Sequence, residues 1–235
     1  MDHIIINNEE KFLQGKLKGY SLKDTESKFN SEGKPLHFPG CTIICKILKN
    51  SELSNAISAV QLKYKDFNPN NTYTYLPSSS FHMTLFDCCN IDTINTFSWP
   101  KNVKTNDDYK EVALELYEKI KGFMLPDKFN LKLKKLFGGY SMILEGATTK
   151  DEKILRDCRN ELSKLLGIKF LNHEIYSFHI TLAYILRKLG EKEVKNLLMI
   201  NNQLYTEFKK KFPIIEIQKP ELCIFENMYQ FDSLL

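Results

Sequence analysis

An α+β fold with largely antiparallel sheet is what the 235-residue sequence predicts, on three observations. Strand-like and helix-like stretches are mixed without the strict alternation of βαβ units. Gly138-Gly139 sits between two apolar runs, the pattern of a hairpin turn. One six-residue segment occurs twice, His82 and His179 being 97 residues apart, each time in a strand-like run, which implies two similar lobes.

The elements follow in order. Residues 1–40 are polar and punctuated by Gly15, Gly19, Gly33, Pro35, Pro39 and Gly40, so an irregular arm is expected, with one bilobed domain over 41–235. Ile43, Ile44 and Ile47 mark a strand over 42–48. Ser51 then caps a helix carrying Leu53, Ile57, Val60 and Tyr64. A turn at 68–71 leads to Tyr73–Leu76, and Pro77 precedes the alternating run 80–87. Asp107 or Asp108 caps a helix through Val112, Leu116 and Ile120 to Leu125, and the hairpin pairs 129–137 with 140–145. Thr149 or Asp151 starts a third helix that Gly167 stops. A strand over 178–186, a helix over 191–208 and strands over 213–217 and 222–225 complete the chain.

Composition narrows the function classes. The chain is 43% hydrophobic and 26% charged, with 33 Lys plus Arg against 29 Asp plus Glu, a net charge of +4. That excess tolerates an anionic ligand without forming the dense basic stripe of a dedicated nucleic-acid binder. Lys132, Lys134, Lys135 and Lys209–Lys211 read as solvated faces. The six cysteines at 41, 45, 88, 89, 158 and 223 form no CxxC pair and read as reduced thiols. Ile4–Ile6 is too short for a signal peptide, and no apolar run approaches a spanning helix. A soluble cytoplasmic monomer with no stable protein partner is expected.

The repeat carries the chemistry. Ser80-Phe81-His82-Met83-Thr84-Leu85 and Ser177-Phe178-His179-Ile180-Thr181-Leu182 agree at five of six positions. Alternate strand residues share a face, so Phe81, Met83 and Leu85, with Phe178, Ile180 and Leu182, form the core side. Ser80, His82, Thr84 and Phe86 share the other face, as do Ser177, His179, Thr181 and Ala183. Two imidazoles across a cleft supply a general base and a general acid, because histidine titrates near operating pH. The hydroxyls of Thr84 and Thr181 can donate to the non-bridging oxygens of a phosphodiester between them. Ser80 and Ser177 are weaker candidates for added phosphate hydrogen bonds, and Phe86 for stacking on a base. His3, His37 and His173 match nothing.

These paired His-x-Thr motifs resemble the two-histidine (2H) phosphoesterase superfamily, which includes bacterial RNA ligase/cyclic phosphodiesterase proteins, plant cyclic phosphodiesterases and RNA-processing 3′-end nucleases. The run from Phe29 to Ile44, the segment from Leu76 to Thr84 and Trp99-Pro100 resemble one branch of uncharacterised function. The resemblance implies a bilobed fold of two pseudo-symmetric antiparallel sheets lining a central groove, with helices outside and neither cofactor nor metal. By the same resemblance His82 and His179 are the acid/base pair, Thr84 and Thr181 the phosphate clamps, and the substrate a nucleotide or short RNA or oligonucleotide: a 2′,3′-cyclic phosphate, a 2′,5′ linkage or a 3′ end. A nucleotide or RNA-end binding module on the same fold is the alternative. A metal site using His82 with Asp87, Cys88 or Cys89 is disfavoured, since regular alternation turns Asp87 to the opposite face and no HxH or HExxH spacing supplies a second imidazole.

Overall fold

The computed structural model describes residues 3–20, 22–67, 71–104 and 108–234. In chain order the elements are α1 (His3–Asn7), α2 (Glu9–Leu13), α3 (Lys23–Glu26), β1 (Gly40–Lys46), α4 (Glu52–Phe67), β2 (Tyr73–Tyr75), β3 (His82–Asn90), α5 (Tyr109–Ile120), β4 (Lys128–Phe137), β5 (Ser141–Gly146), α6 (Thr149–Leu166), β6 (His179–Thr181), β7 (Ala183–Ile185), α7 (Glu191–Lys211), β8 (Ile215–Gln218), β9 (Glu221–Asn227) and β10 (Gln230–Ser233). The expected turn at 68–71 and the Asp107 cap lie largely outside the described residues. Asp108 does cap α5, accepting from the Lys110 and Glu111 amides.

The fold class is α+β, as the pattern implied, but the sheet differs from expectation. Eight strands form one curled antiparallel sheet in the order β10-β9-β1-β3-β6-β5-β4-β8, rather than two separate sheets. The halves meet where Met83 of β3 pairs with Ile180 of β6. Both residues are fully buried, so apolar packing beneath the sheet holds the join. Each half repeats one unit: β1, helix α4 and β3 in the first, β5, helix α6 and β6 in the second, with the motif strand innermost.

The expected strand over 178–186 is also two strands. After Thr181 the chain leaves the large sheet, and β7 pairs with β2 in a separate two-stranded sheet. From Leu182 to Leu186 the residues carry no polar/apolar alternation, so nothing local marks where the pairing partner changes.

Local signals explain the other boundaries. The α6 cap is Thr148, whose hydroxyl oxygen accepts from the Asp151 amide while Asp151 reaches back to the Thr148 amide, and Gly167 ends the helix at φ +66°. At the β4–β5 hairpin Gly138 and Gly139 both have positive φ, and the Tyr140 amide donates to the Phe137 carbonyl over 3.1 Å. This is the primed turn that glycine adopts without strain. The arm is less irregular than expected, since it contains α1, α2 and α3. It is fastened to that hairpin by the buried Glu9 carboxylate, which accepts from the Gly138 amide at 2.7 Å and pairs with Lys135 Nζ at 2.5 Å. All six cysteines are buried free thiols. No helix of the described residues is long and apolar enough to cross a membrane.

Candidate active site

The two motif strands are antiparallel neighbours, and that register builds the site. With Met83 opposite Ile180, one step along each strand sets His82 beside Thr181 and Thr84 beside His179. Each imidazole therefore faces the other motif's hydroxyl. The two histidines stand in the diagonal cross-strand relation, for which about 7–8 Å is typical. All four side chains line a cavity of about 630 Å³.

Both imidazoles are held the same way. His82 Nδ1 lies 2.7 Å from the Ser80 carbonyl, and His179 Nδ1 lies 2.9 Å from the Ser177 carbonyl. A carbonyl only accepts, so each Nδ1 carries the hydrogen of the neutral ring. Ser80 and Ser177 thus contribute backbone oxygens, which the sequence reading missed. The Ser80 hydroxyl is turned away, donating to the Pro77 carbonyl at 2.8 Å, so the expected phosphate contact from it is absent. Ser177 is half-buried and does not line the cavity.

Electrostatics favour neutral rings. Burial pushes His82 down to about 4, against smaller upward pulls from the Ser80 carbonyl and the Asp87 carboxylate. Burial also pushes His179 well below its ordinary value, with His82 and Lys28 adding to the depression. The surroundings are aromatic: Phe231 of β10 meets the His82 ring at 4.3 Å between centroids, and Tyr176 lies 6.1 Å from His179. Tyr176 lines the cavity together with Thr84 and His179.

Two further placements correct the sequence reading. The β1–β3 register slips between Ile43↔Phe86 and Ile44↔Thr84, leaving Leu85 as an extra residue, and slips again at Cys88. Such a bulge turns every later side chain to the opposite face. Phe86 is therefore not on the groove face; it is fully buried, 6.2 Å from the rings of Phe170 and His173, and is not available to stack on a base. Asp87, expected on the opposite side from His82, joins His82 and Thr84 on the groove wall, while Cys88 and Cys89 are buried in the core.

Arg159 of α6 supports the bulge. It is 1% exposed, donates from Nη1 to the Leu85 carbonyl at 2.5 Å and lies 3.8 Å over the Tyr176 ring. No simple sequence signal marks it, since arginine in an amphipathic helix reads as surface. The arm covers the groove: Ile5, Phe12, Tyr20, Leu22 and Lys28 all line the cavity. Among the described residues no three His, Cys, Asp or Glu side chains cluster as a metal site would need.

Comparison with known proteins now applies. Residues 28–139 match the model of the family 2H-phosphodiest, described as a Domain of unknown function (DUF1868). This stretch is similar to that two-histidine phosphodiesterase family. It contains His82 and Thr84, and the second motif joins them through the repeat and the β3–β6 pairing. The fold of the whole molecule is similar to the crystal structure of the conserved protein of unknown function ATU0111 from Agrobacterium tumefaciens str. C58, with a TM-score of 0.88 and 23% identity, covering 97% of each chain. No curated protein matches the chain.

Proposed function

We propose that this chain is a two-histidine phosphodiesterase that hydrolyses a nucleotide or RNA-end phosphodiester, such as a 2′,3′-cyclic phosphate, by general acid–base catalysis between His82 and His179. The observation that carries the reading is the mirrored hydrogen bonding of the two rings on one cavity wall, each Nδ1 on a carbonyl two residues upstream. Such an arrangement serves proton transfer, for which a binding module has no need. One Nε2 takes a proton from water or a 2′-hydroxyl, and the other protonates the leaving oxygen. Thr84 and Thr181, each beside the opposite motif's histidine, donate to the non-bridging oxygens as charge grows on them. No step requires a metal ion.

The test is hydrolysis of 2′,3′-cyclic nucleotides, 3′,5′-cyclic nucleotides and short 2′,5′- and 3′,5′-linked oligonucleotides in excess chelator. Turnover of at least one class is expected, with His82→Ala and His179→Ala each losing about 10²–10⁴-fold in kcat. Wild-type turnover in either variant would sink the mechanism. Tight nucleotide binding without product would select the binding module instead.

A further inference from the structure

The groove wall contains a carboxylate that the proton-transfer scheme does not use. Asp87 reaches it only because Leu85 is an extra residue in β3, and the buried Arg159 guanidinium holds the carbonyl of that bulge. Asp87 stands opposite Thr42 of β1, three positions beyond Thr84, and lines the same cavity as both histidines. Among the described residues no cation forms an ion pair with it. Arg159, beneath the strand, acts on it only through the field.

The charge of the cavity is otherwise sparse. Lys28 is the one Lys or Arg among its described lining residues, set 5.2 Å over the Phe38 ring and 5.6 Å over the Tyr184 ring. Burial keeps both imidazoles neutral near pH 7. Among the described lining residues one lysine stands against one aspartate, whereas grooves that track nucleic-acid backbones are lined with several Lys or Arg.

We infer that Asp87 is a specificity-determining residue: it accepts hydrogen bonds from an uncharged, donor-bearing part of the substrate and rejects a second phosphate there. The substrate class is then a small molecule with a single phosphodiester, a nucleoside whose far end is free hydroxyl or N–H, rather than a 5′-phosphorylated nucleotide or an internal segment of a chain. This rests on the phosphodiesterase reading above and narrows it. An ionised carboxylate is acceptor-only, so hydroxyl or N–H groups satisfy it and phosphate oxygens do not. Repulsion of the wrong ligand is a common source of selectivity.

The experiment is calorimetric binding of adenosine 3′-monophosphate and adenosine 3′,5′-bisphosphate to the full chain, its Asp87→Asn variant and, should that variant melt early, Asp87→Ser. The wild-type chain should bind the monophosphate at least tenfold more tightly, and the substitution should bring the ratio below about threefold by tightening the bisphosphate. Equal wild-type affinities, a preference for the bisphosphate, an unchanged ratio in the variant, or no binding of either ligand would each overturn the inference. The hydrolysis panel reports separately on catalysis. A variant-sensitive ratio without turnover would reject the catalytic reading and keep Asp87's role, while turnover with an insensitive ratio would do the reverse.

Discussion

The two halves of the sheet carry the same His-x-Thr motif on different supports. At the leucine that follows each motif the regular strand fails, and a buried side chain from the other half's helix takes up the freed carbonyl. In the first half Leu85 bulges and Arg159 of α6 donates to it at 2.5 Å. In the second half the chain leaves the sheet at Leu182, and Gln61 of α4 donates to its carbonyl at 2.9 Å, and to that of Leu76 at 2.8 Å. The leucines are 97 residues apart and the donors 98, so this is one device used twice, charged on one side and neutral on the other. The charged copy lies under Asp87. Symmetry therefore supplies the pair of imidazoles, and asymmetry gives the groove a direction.

The sharpest way to break that comparison is to remove the two donors. Arg159→Ala opens a cavity, removes the stack on Tyr176 and leaves the Leu85 carbonyl without its partner, and should cost about 3 kcal/mol of stability. Gln61→Ala should cost less, about 1–2 kcal/mol, because the Leu182 carbonyl keeps the Leu76 amide at 2.9 Å. Arg159→Met, which fills the volume and relieves a buried charge that no carboxylate pairs with, should recover most of the loss. Urea denaturation of the three variants checks the order. Equal losses in Arg159→Ala and Gln61→Ala would mean that the two supports are interchangeable.

The same comparison shows what was legible in the sequence. Period-two alternation placed His82, Thr84, His179 and Thr181 on one face and Met83 and Ile180 in the core, because those positions precede either irregularity. It failed one residue later. The string from His82 to Leu85 alternates and then breaks, apolar Phe86 before polar Asp87, in phase with the slip at Leu85; what holds that slip is the β1 register and the Arg159 guanidinium, neither of which is local. Hence Phe86 and Asp87 exchanged faces. The single sheet was illegible for a related reason, since the β3–β6 pairing that fuses the halves is recorded at one residue pair between distant segments. Phe231 reaches His82 from a short strand that follows the Asn227 turn, where the Asn227 side chain accepts from the Tyr229 amide at 2.9 Å.

Acid dependence sharpens the difference between the histidines. Above the pKa values of the pair the productive singly protonated form thins out, so kcat/KM should peak below pH 6.5 and fall about tenfold per pH unit above its maximum. Stability should move the other way. Both rings titrate lower in the folded chain than in the unfolded one, which binds more protons below about pH 6.5. The stability contributed by two neutral buried rings is present above that pH and declines as pH falls toward about 4, where His82 titrates. Proton NMR titration should show His82 protonating before His179, since Asp87 draws the first ring up while burial and neighbouring positive charge hold the second further down. A pH-rate maximum at 8, or His179 titrating first, would contradict the charge asymmetry.

The smallest effect tests how local the asymmetry is. Tyr176 sits just upstream of the second motif, yet it shares the cavity wall with Thr84 of the first, while its ring supports Arg159. Tyr176→Phe keeps the ring and removes only the hydroxyl. Loss of a hydroxyl that positions Thr84 should lower kcat/KM about three- to tenfold, the rate equivalent of roughly 1 kcal/mol. Stability should change little, because the phenylalanine ring still carries the stack. If Thr84 acts on the transition state, the loss falls on kcat and vanishes in a Thr84→Val background, where the hydroxyl has nothing to position. A loss that persists there would place Tyr176 itself against the substrate and make the aromatic wall, rather than the threonine, the distinguishing feature of that half.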